Sequence, residues 1–215
     1  MSDQQVILSE IDNETRTRYT NRYRQHGLSH LTLGWGSKEQ QEYRFDQVLG
    51  CDDFRLKTVL DIGCGFGDLF SYIKSRKIII DSYTGLDLNP DLVDEAVVRH
   101  PDGIFYDKSL MSMEKAPEAD VVVMLGLLNF KQEKINNNDY AQVMVQKAFD
   151  STKETLIVDF LSDRCALDYP KEDFVYYYDP SFVLELGLGL SNNVQLIHDY
   201  LPIPQKEMIL VIRKS

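Results

Sequence analysis

The sequence predicts an α/β fold, a doubly wound and mostly parallel seven-stranded sheet, on three observations. Seven segments of strand character recur between residues 57 and 213. Helical segments fill most of the gaps between them, the alternation that builds a sheet with helices on its faces. The central segment Val121-Val122-Val123-Met124-Leu125 is apolar without interruption, as a strand buried on both faces must be.

Taken in chain order, residues 1–10 are expected to form a loose tail. Residues 11–26 favour helix, with Asp12 as its N-cap and Tyr19, Tyr23 and His26 on one face at spacings of four and three. Gly27 fits the terminator of that helix, and Gly34-Trp35-Gly36-Ser37 a tight connection. Ser37 with Gln40 three residues later resembles a capping box, so a second helix should occupy 37–49. Strands then follow at 57–62, 82–88, 103–106, 120–125, 155–160, 194–200 and 208–213, with helices at 67–76, 90–99, 138–150 and 180–188. Only 201–207 joins the last two strands, too short for a helical crossover, so they should form a C-terminal antiparallel hairpin. The expected organisation is an N-terminal helical extension or lid over 1–53 and one sheet domain over 54–215.

Bulk properties narrow the function. A chain of 215 residues with 43% hydrophobic and 27% charged residues suits one soluble domain with a sizeable core. No apolar run approaches the roughly 20 residues of a membrane span. The polar, acidic start MSDQQVILSEIDNE lacks the character of a signal peptide, so a cytoplasmic protein is expected. A net charge of -11 argues against gripping a nucleic-acid backbone, which relies on lysine and arginine. Cys51, Cys64 and Cys165 are odd in number and widely spaced, with no histidines at metal-ligand spacing. They read as reduced thiols, and no metal site is expected.

The chemistry concentrates in Val59-Leu60-Asp61-Ile62-Gly63-Cys64-Gly65-Phe66-Gly67-Asp68-Leu69, a strand running into a glycine turn and then a helix. Glycines let the backbone turn sharply and approach a ligand, and the helix N-terminus offers amide donors to it. Ligands of doubly wound sheets lie outside the carboxyl ends of the strands. Those ends carry Asp61 with the loop, Asp87 before Leu88-Asn89-Pro90, Asp107-Lys108-Ser109, and Leu125-Gly126-Leu127-Leu128-Asn129-Phe130. Asp87, about 24 residues beyond the loop, is placed to accept the hydroxyls of a ribose.

The loop discriminates among nucleotides. A dinucleotide fingerprint needs G-x-G-x-x-G, and Asp68 stands where its third glycine belongs. An acid there suits a pyrophosphate poorly, whereas Asp61 can pair with an ammonium while loop amides take a carboxylate. S-adenosylmethionine is a nucleoside of that kind.

Residues 58–69 resemble the first motif of the class I S-adenosylmethionine-dependent methyltransferases, and Tyr83-Thr84-Gly85-Leu86-Asp87-Leu88-Asn89 resembles their second. The resemblance covers roughly 54–215 and implies a Rossmann-like sheet with one antiparallel strand. It implies that Asp61, Gly63, Gly65 and Gly67 contact the methionine portion and Asp87 the ribose. Leu88, Lys108 and Ser109 then surround the adenine, and Leu125 and Gly126 form the cleft floor. Cys64 and Asp107 complete the expected cofactor-binding set. The implied activity is in-line transfer of a methyl group from S-adenosylmethionine, leaving S-adenosylhomocysteine, to a small-molecule acceptor. The fourth strand ends without the Asn/Asp-Pro-Pro-Tyr/Phe signature of amino-methylating nucleic-acid enzymes, which favours a small acceptor. RNA or protein acceptors, a nicotinamide-dependent oxidoreductase and a non-catalytic cofactor-binding partner protein remain alternatives.

Outside the cofactor residues the candidates are fewer. His26, Tyr23 and Asn129 are the polar groups to consider for catalysis. Trp35 either closes over the cofactor or staples the extension. Tyr176, Tyr177 and Tyr178 either face substrate or pack, and His198 reads as a core or edge histidine within a strand. Arg16, Arg18, Arg22 and Arg24 form either a solvated helix face or a patch that steers an anionic acceptor.

Overall fold

A computed structural model describes residues 3–165, 171–199 and 207–214. Its elements are α1 (Asp3–His26), α2 (Lys38–Leu49), β1 (Thr58–Ile62), α3 (Asp68–Ser75), β2 (Ser82–Asp87), α4 (Pro90–Arg99) and β3 (Ile104–Asp107). A single 3-10 turn (Leu110–Ser112) follows, then β4 (Ala119–Met124), α5 (Asn137–Asp150), β5 (Thr152–Leu161), α6 (Pro180–Leu188), β6 (Asn193–Ile197) and β7 (Glu207–Arg213). The strands form one seven-stranded sheet in the order β3-β2-β1-β4-β5-β7-β6. Three strands wind one way and the others the opposite way, as expected of a doubly wound sheet, and β7 pairs antiparallel with both β5 and β6. Among the described residues no helix is long and apolar enough to cross a membrane.

The chain divides into two compact units, residues 1–117 and 118–215. In the first, β1 and β2 pair in parallel with Asp61 opposite Gly85, and β2 pairs with β3 so that Asp87 stands opposite Asp107. Helix α4 packs on β2 and β3 and starts on Asn89, whose side-chain oxygen accepts from the amides of Asp91 and Leu92. Pro90 at its first position costs no hydrogen bond, because that amide would have no helical partner. Ser37 caps α2 by accepting from Gln40, as the capping box predicts.

The beginning of the chain departs from expectation. Helix α1 already includes residues 3–10, and Asp12 lies within it rather than at its N-cap. The helix has little apolar periodicity to announce it; Leu8 and Ile11 are its buried anchors. Polar contacts bind the rest: Thr20 Oγ1 donates to Asp91 at 3.3 Å and Tyr23 Oη to Glu95 at 2.5 Å, both on α4. Tertiary partners override a weak local signal here.

In the second unit β4 and β5 pair in parallel, α5 packs on both, and α6 packs on β6 and β7. Asp179 caps α6 by accepting from Ser181. Strand β5 begins at Thr152 rather than 155, directly after α5 ends, and β6 ends at Ile197. His198 therefore lies beyond its strand, half-buried, instead of inside the sheet. The remainder of the predicted strand at residue 200 and the connection 201–206 lie outside the described residues. Tyr178 is fully buried and donates to the Leu128 carbonyl at 3.1 Å, so packing governs the last of the three tyrosines at 176–178.

Candidate functional site

The site of the first unit is built where β1 gives way to α3. Gly63, Gly65 and Gly67 all hold positive φ (79°, 52° and 71°), a region side-chain-bearing residues rarely adopt. Space is as restrictive as conformation. A Cβ at Gly65 would lie 2.7 Å from Leu33 Cδ2, and one at Gly67 would lie 2.7 Å from His100 Cδ2. The loop is therefore clasped between the segment after α1 and the end of α4.

Most loop amides are engaged within the unit. Gly63 and Cys64 donate to the Leu86 carbonyl at 2.7 and 3.0 Å, Gly65 donates to Asp87 Oδ2 at 3.0 Å, and Gly67 donates to the Cys64 carbonyl at 2.9 Å. The α3 terminus differs. No side chain caps it, because its N-cap is Gly67, and the first-turn amides of a helix have no partners of their own. Donors for an anionic group therefore come from the start of α3 more than from the glycines.

Three acids surround the loop in three different states. Asp68 accepts from Arg99 Nη1 at 2.8 Å and from Gln41 Nε2 at 3.0 Å, so it ties α2 and α4 to the start of α3. Asp87 accepts from the amides of Gly65 and Asn89, bracing the loop against β2; burial raises its pKa while those backbone donors oppose the rise. A carboxylate has about four lone-pair sites, so these two bonds leave capacity for hydroxyl donors.

Asp61 is the exception. It is buried at 4% exposure, and its Oδ2 accepts from the Tyr83 hydroxyl. Burial pushes its pKa up to about 7; the Tyr83 bond opposes that rise, and the charges of Asp87 and Asp68 add to it. Desolvation and like charge together oppose the ionised form. A cation brought beside it would reverse both effects.

The other expected residues fall in distinct places. Cys64 is buried, and burial with the neighbouring acids pushes its thiol well up, so it is a packing residue with little thiolate character. Leu88 is half-buried, and its carbonyl accepts from Arg16 Nε at 2.9 Å. Asp107 and Lys108 are exposed, while Ser109 caps the 3-10 turn and bonds the side chain of Asp12. Helix α1 thus reaches both ends of the expected adenine set. Tyr19 is half-buried with the Asp87 charge acting on it, and burial together with that charge raises its phenol pKa. The Tyr23 hydroxyl is committed to Glu95, and His26 is the last residue of α1. The Arg44 guanidinium lies 4.7 Å from the Trp35 ring centre, which anchors Trp35 to α2.

In the second unit Gly126, at φ 72°, donates its amide at 2.6 Å to buried Asp159 on β5, and its neighbour Leu125 is buried at 8% exposure. The Asn129 carbonyl accepts from the Tyr176 amide at 3.0 Å, while its side-chain Oδ1 is buried and has no hydrogen-bond partner among the described residues. Ser162 Oγ and His198 Nε2 are 2.8 Å apart.

Sequence reasoning did not find Tyr83, Gln41, Arg99 or Leu33. Gln41 and Arg99 carry no local signal, being helix-face residues whose acid lies far off in sequence. Tyr83 becomes visible only once register sets Gly85 opposite Asp61, leaving the next residue on that face to reach the carboxylate.

No family model matches the sequence. A protein of Mycobacterium tuberculosis described as "Putative methyltransferase Rv1506c" is 28% identical over 163 residues, which are 74% of this chain and 93% of that protein. Among solved structures, the magnesium protoporphyrin IX methyltransferase ChlM of Synechocystis with bound S-adenosylmethionine matches with a TM-score of 0.68 at 15% identity, covering 100% of this chain and 99% of that one. The DhpI complex with S-adenosylhomocysteine matches with a TM-score of 0.66 at 14% identity, covering 93% and 95%. The small RNA methyltransferase HEN1 matches with a TM-score of 0.65 at 15% identity, but this chain covers only 25% of it. The sheet order, the glycine turn after β1 and these structural matches together give the chain the Rossmann-like fold of the class I S-adenosylmethionine-dependent methyltransferases.

Proposed function

We propose that the chain binds S-adenosylmethionine and transfers its methyl group to a small-molecule acceptor. The observation that carries this reading is Asp61, a buried acid with a pKa of about 7 whose acting charged neighbours are two more acids. A site built to hold a phosphate would not place such a group beside its loop, whereas an amino-acid ammonium would stabilise it. The fit extends along the unit: Asp61 for the ammonium, the uncapped start of α3 for the carboxylate, Asp87 for the ribose hydroxyls, and Leu88, Asp107, Lys108 and Ser109 around the base. Gly63, Cys64, Gly65 and Gly67 give the close backbone approach.

When bound, S-adenosylmethionine supplies a methyl group on a sulfonium centre that departs as the thioether of S-adenosylhomocysteine. The residues then need to orient and to exclude water more than to activate. Helix α1, as a lid with Arg16 on the Leu88 carbonyl and Asp12 on Ser109, is placed to do both at the adenosine end. His26, Tyr23 and Asn129 keep their places as catalytic candidates, and Tyr23 is the weakest because its hydroxyl already serves Glu95. An anionic acceptor draws less support than the arginine cluster promised, since Arg16 and Arg22 are engaged with the Leu88 and Leu31 carbonyls. A small acceptor is favoured over RNA by the net charge of -11, and the cytoplasm is the expected setting. Isothermal titration of the pure protein with S-adenosylmethionine should show saturable binding at micromolar cofactor. Absence of heat from folded protein at high micromolar concentration would sink the proposal.

A further inference from the structure

Of the three acids around the glycine loop, only Asp61 depends on a single side-chain donor. We propose that Tyr83 is the positioning residue of the cofactor-binding carboxylate, its hydroxyl holding one oxygen of Asp61 so that the other is presented, ionised, to the ammonium group of the ligand. This rests on the function proposed above.

Tyr83 Oη donates to Asp61 Oδ2, and no other hydrogen bond reaches that carboxylate among the described residues. The donor cannot swing to another partner. Its ring is 1% exposed, stacks on Phe70 with centroids 4.4 Å apart and planes 11° apart, and tilts against Phe105 at 5.9 Å. Strand register supplies the reach, because Gly85 opposite Asp61 has no side chain to intervene. A Cβ there would lie 2.7 Å from both Cys64 Sγ and Phe105 Cδ1, so the close packing over this position admits only glycine.

The groups that face the carboxylate are Tyr83 and Asp87 from β2, Asp68 from the start of α3, and Cys64 from the loop, with Arg99 of α4 on the far side of Asp68. Burial and both acids favour the neutral form of Asp61, and the phenol hydrogen bond alone favours the ionised one. A neutral acid offers an ammonium no charge. Tyr83 therefore sets the pH at which the site becomes competent for its cation.

The test is isothermal titration with S-adenosylmethionine from about pH 5.5 to about pH 8 on wild type, Tyr83→Phe and Asp61→Asn, alongside carboxyl-carbon NMR of Asp61 in the ligand-free protein. Wild-type affinity should fall as pH drops through about 7, where the Asp61 resonance titrates. Tyr83→Phe keeps the stacked ring and should raise both midpoints by about one pH unit, read as about fivefold weaker binding near neutrality and a smaller loss at the alkaline end. Asp61→Asn should bind weakly with a flat profile. Should the phenylalanine variant not fold, a fluorinated tyrosine at position 83, a stronger donor of nearly the same shape, should lower the midpoints instead. Midpoints that coincide in wild type and Tyr83→Phe, or a loss of equal size at every pH, would overturn the inference while leaving the cofactor assignment intact. Wild-type protein that binds no S-adenosylmethionine at any pH would overturn the proposed function and this inference together.

Discussion

The two units leave different things unfinished. Around the glycine loop of the first unit each of the three acids already has a hydrogen-bond donor. Asp68 is held by Arg99 and Gln41, Asp87 by two amides, and Asp61 by Tyr83. What remains uncompensated is the charge of Asp61 and Asp87, since Asp68 has its ion pair with Arg99. At the carboxyl ends of β4 and β5 in the second unit a hydrogen-bond acceptor is left unmet. Asp159 takes the Gly126 amide, Ser162 pairs with His198, and Tyr178 is locked to Leu128, yet Asn129 Oδ1 is buried without a donor. Uncompensated charge points to a cationic ligand; an unmet acceptor points to a neutral donor such as an amine or hydroxyl.

Asp61→Asn tests this contrast with the largest expected effect. Removing one member of a buried charge pair typically costs about 3–5 kcal/mol, so cofactor affinity should fall by more than about a hundredfold in a titration near pH 8. Stability should move the other way. The folded pKa of Asp61 is raised from 3.8 to about 7. An acid raised on folding adds stability that is complete below its unfolded pKa and is lost as pH climbs to its folded pKa, because between the two the native state holds the extra proton. Ionised Asp61 is thus a burden near pH 8, of a few kcal/mol at most. The asparagine variant should melt higher there than wild type and show no advantage near pH 4. A variant that melts lower at both pH values would mean the carboxylate holds the unit together rather than awaiting a cation.

Gly67→Ala should come next, at about 2–3 kcal/mol of destabilisation by denaturant titration, since it combines a φ of 71° with a Cβ 2.7 Å from His100. Because the loop and the start of α3 would shift with it, cofactor affinity should also fall by about tenfold. Asp68→Asn is milder. It breaks a partly exposed ion pair with Arg99, about 1 kcal/mol, and should lower the Asp61 midpoint slightly because Asp68 raises it. An unchanged midpoint would show that Asp68 is screened by Arg99 and that only two acids share the charge.

Much of the first unit was legible because its signals are local. The glycine turn, the Asn89-Pro90 helix start and the Ser37 cap each depend on residues within a few positions, and α4 has the expected limits. The full extent of α1 was not legible, since among its described residues Leu8 and Ile11 are the buried ones, and several of its ties run to Leu88, Asp91 and Glu95, about 70 residues away. Asp61 and Asp87 were read as ligand-facing, but the partners that brace the acids were hidden. Tyr83 meets Asp61, and Arg99 meets Asp68, only through strand register and helix packing. In the second unit the uninterrupted run 121–125 announced β4, whereas His198 was misplaced because β6 stops one residue short of it.

The smallest expected effect bears on the second unit. Replacing a buried, unsatisfied acceptor by an apolar group of similar size is nearly neutral or slightly stabilising, because the desolvation penalty goes with it. Asn129→Leu should therefore change stability by no more than about 1 kcal/mol, and cofactor affinity by less than about twofold, since Asn129 has no part in the charge balance around Asp61. If its oxygen receives a hydrogen from the methyl acceptor, turnover on any acceptor found to be methylated should drop by about a hundredfold at unchanged cofactor affinity, because the acceptor's N–H or O–H would then be buried without a partner. Intact turnover would return Asn129 to packing and leave the acceptor to be oriented by other residues of that edge. A fall in cofactor affinity instead would erase the contrast between Asn129 and the acids around the loop.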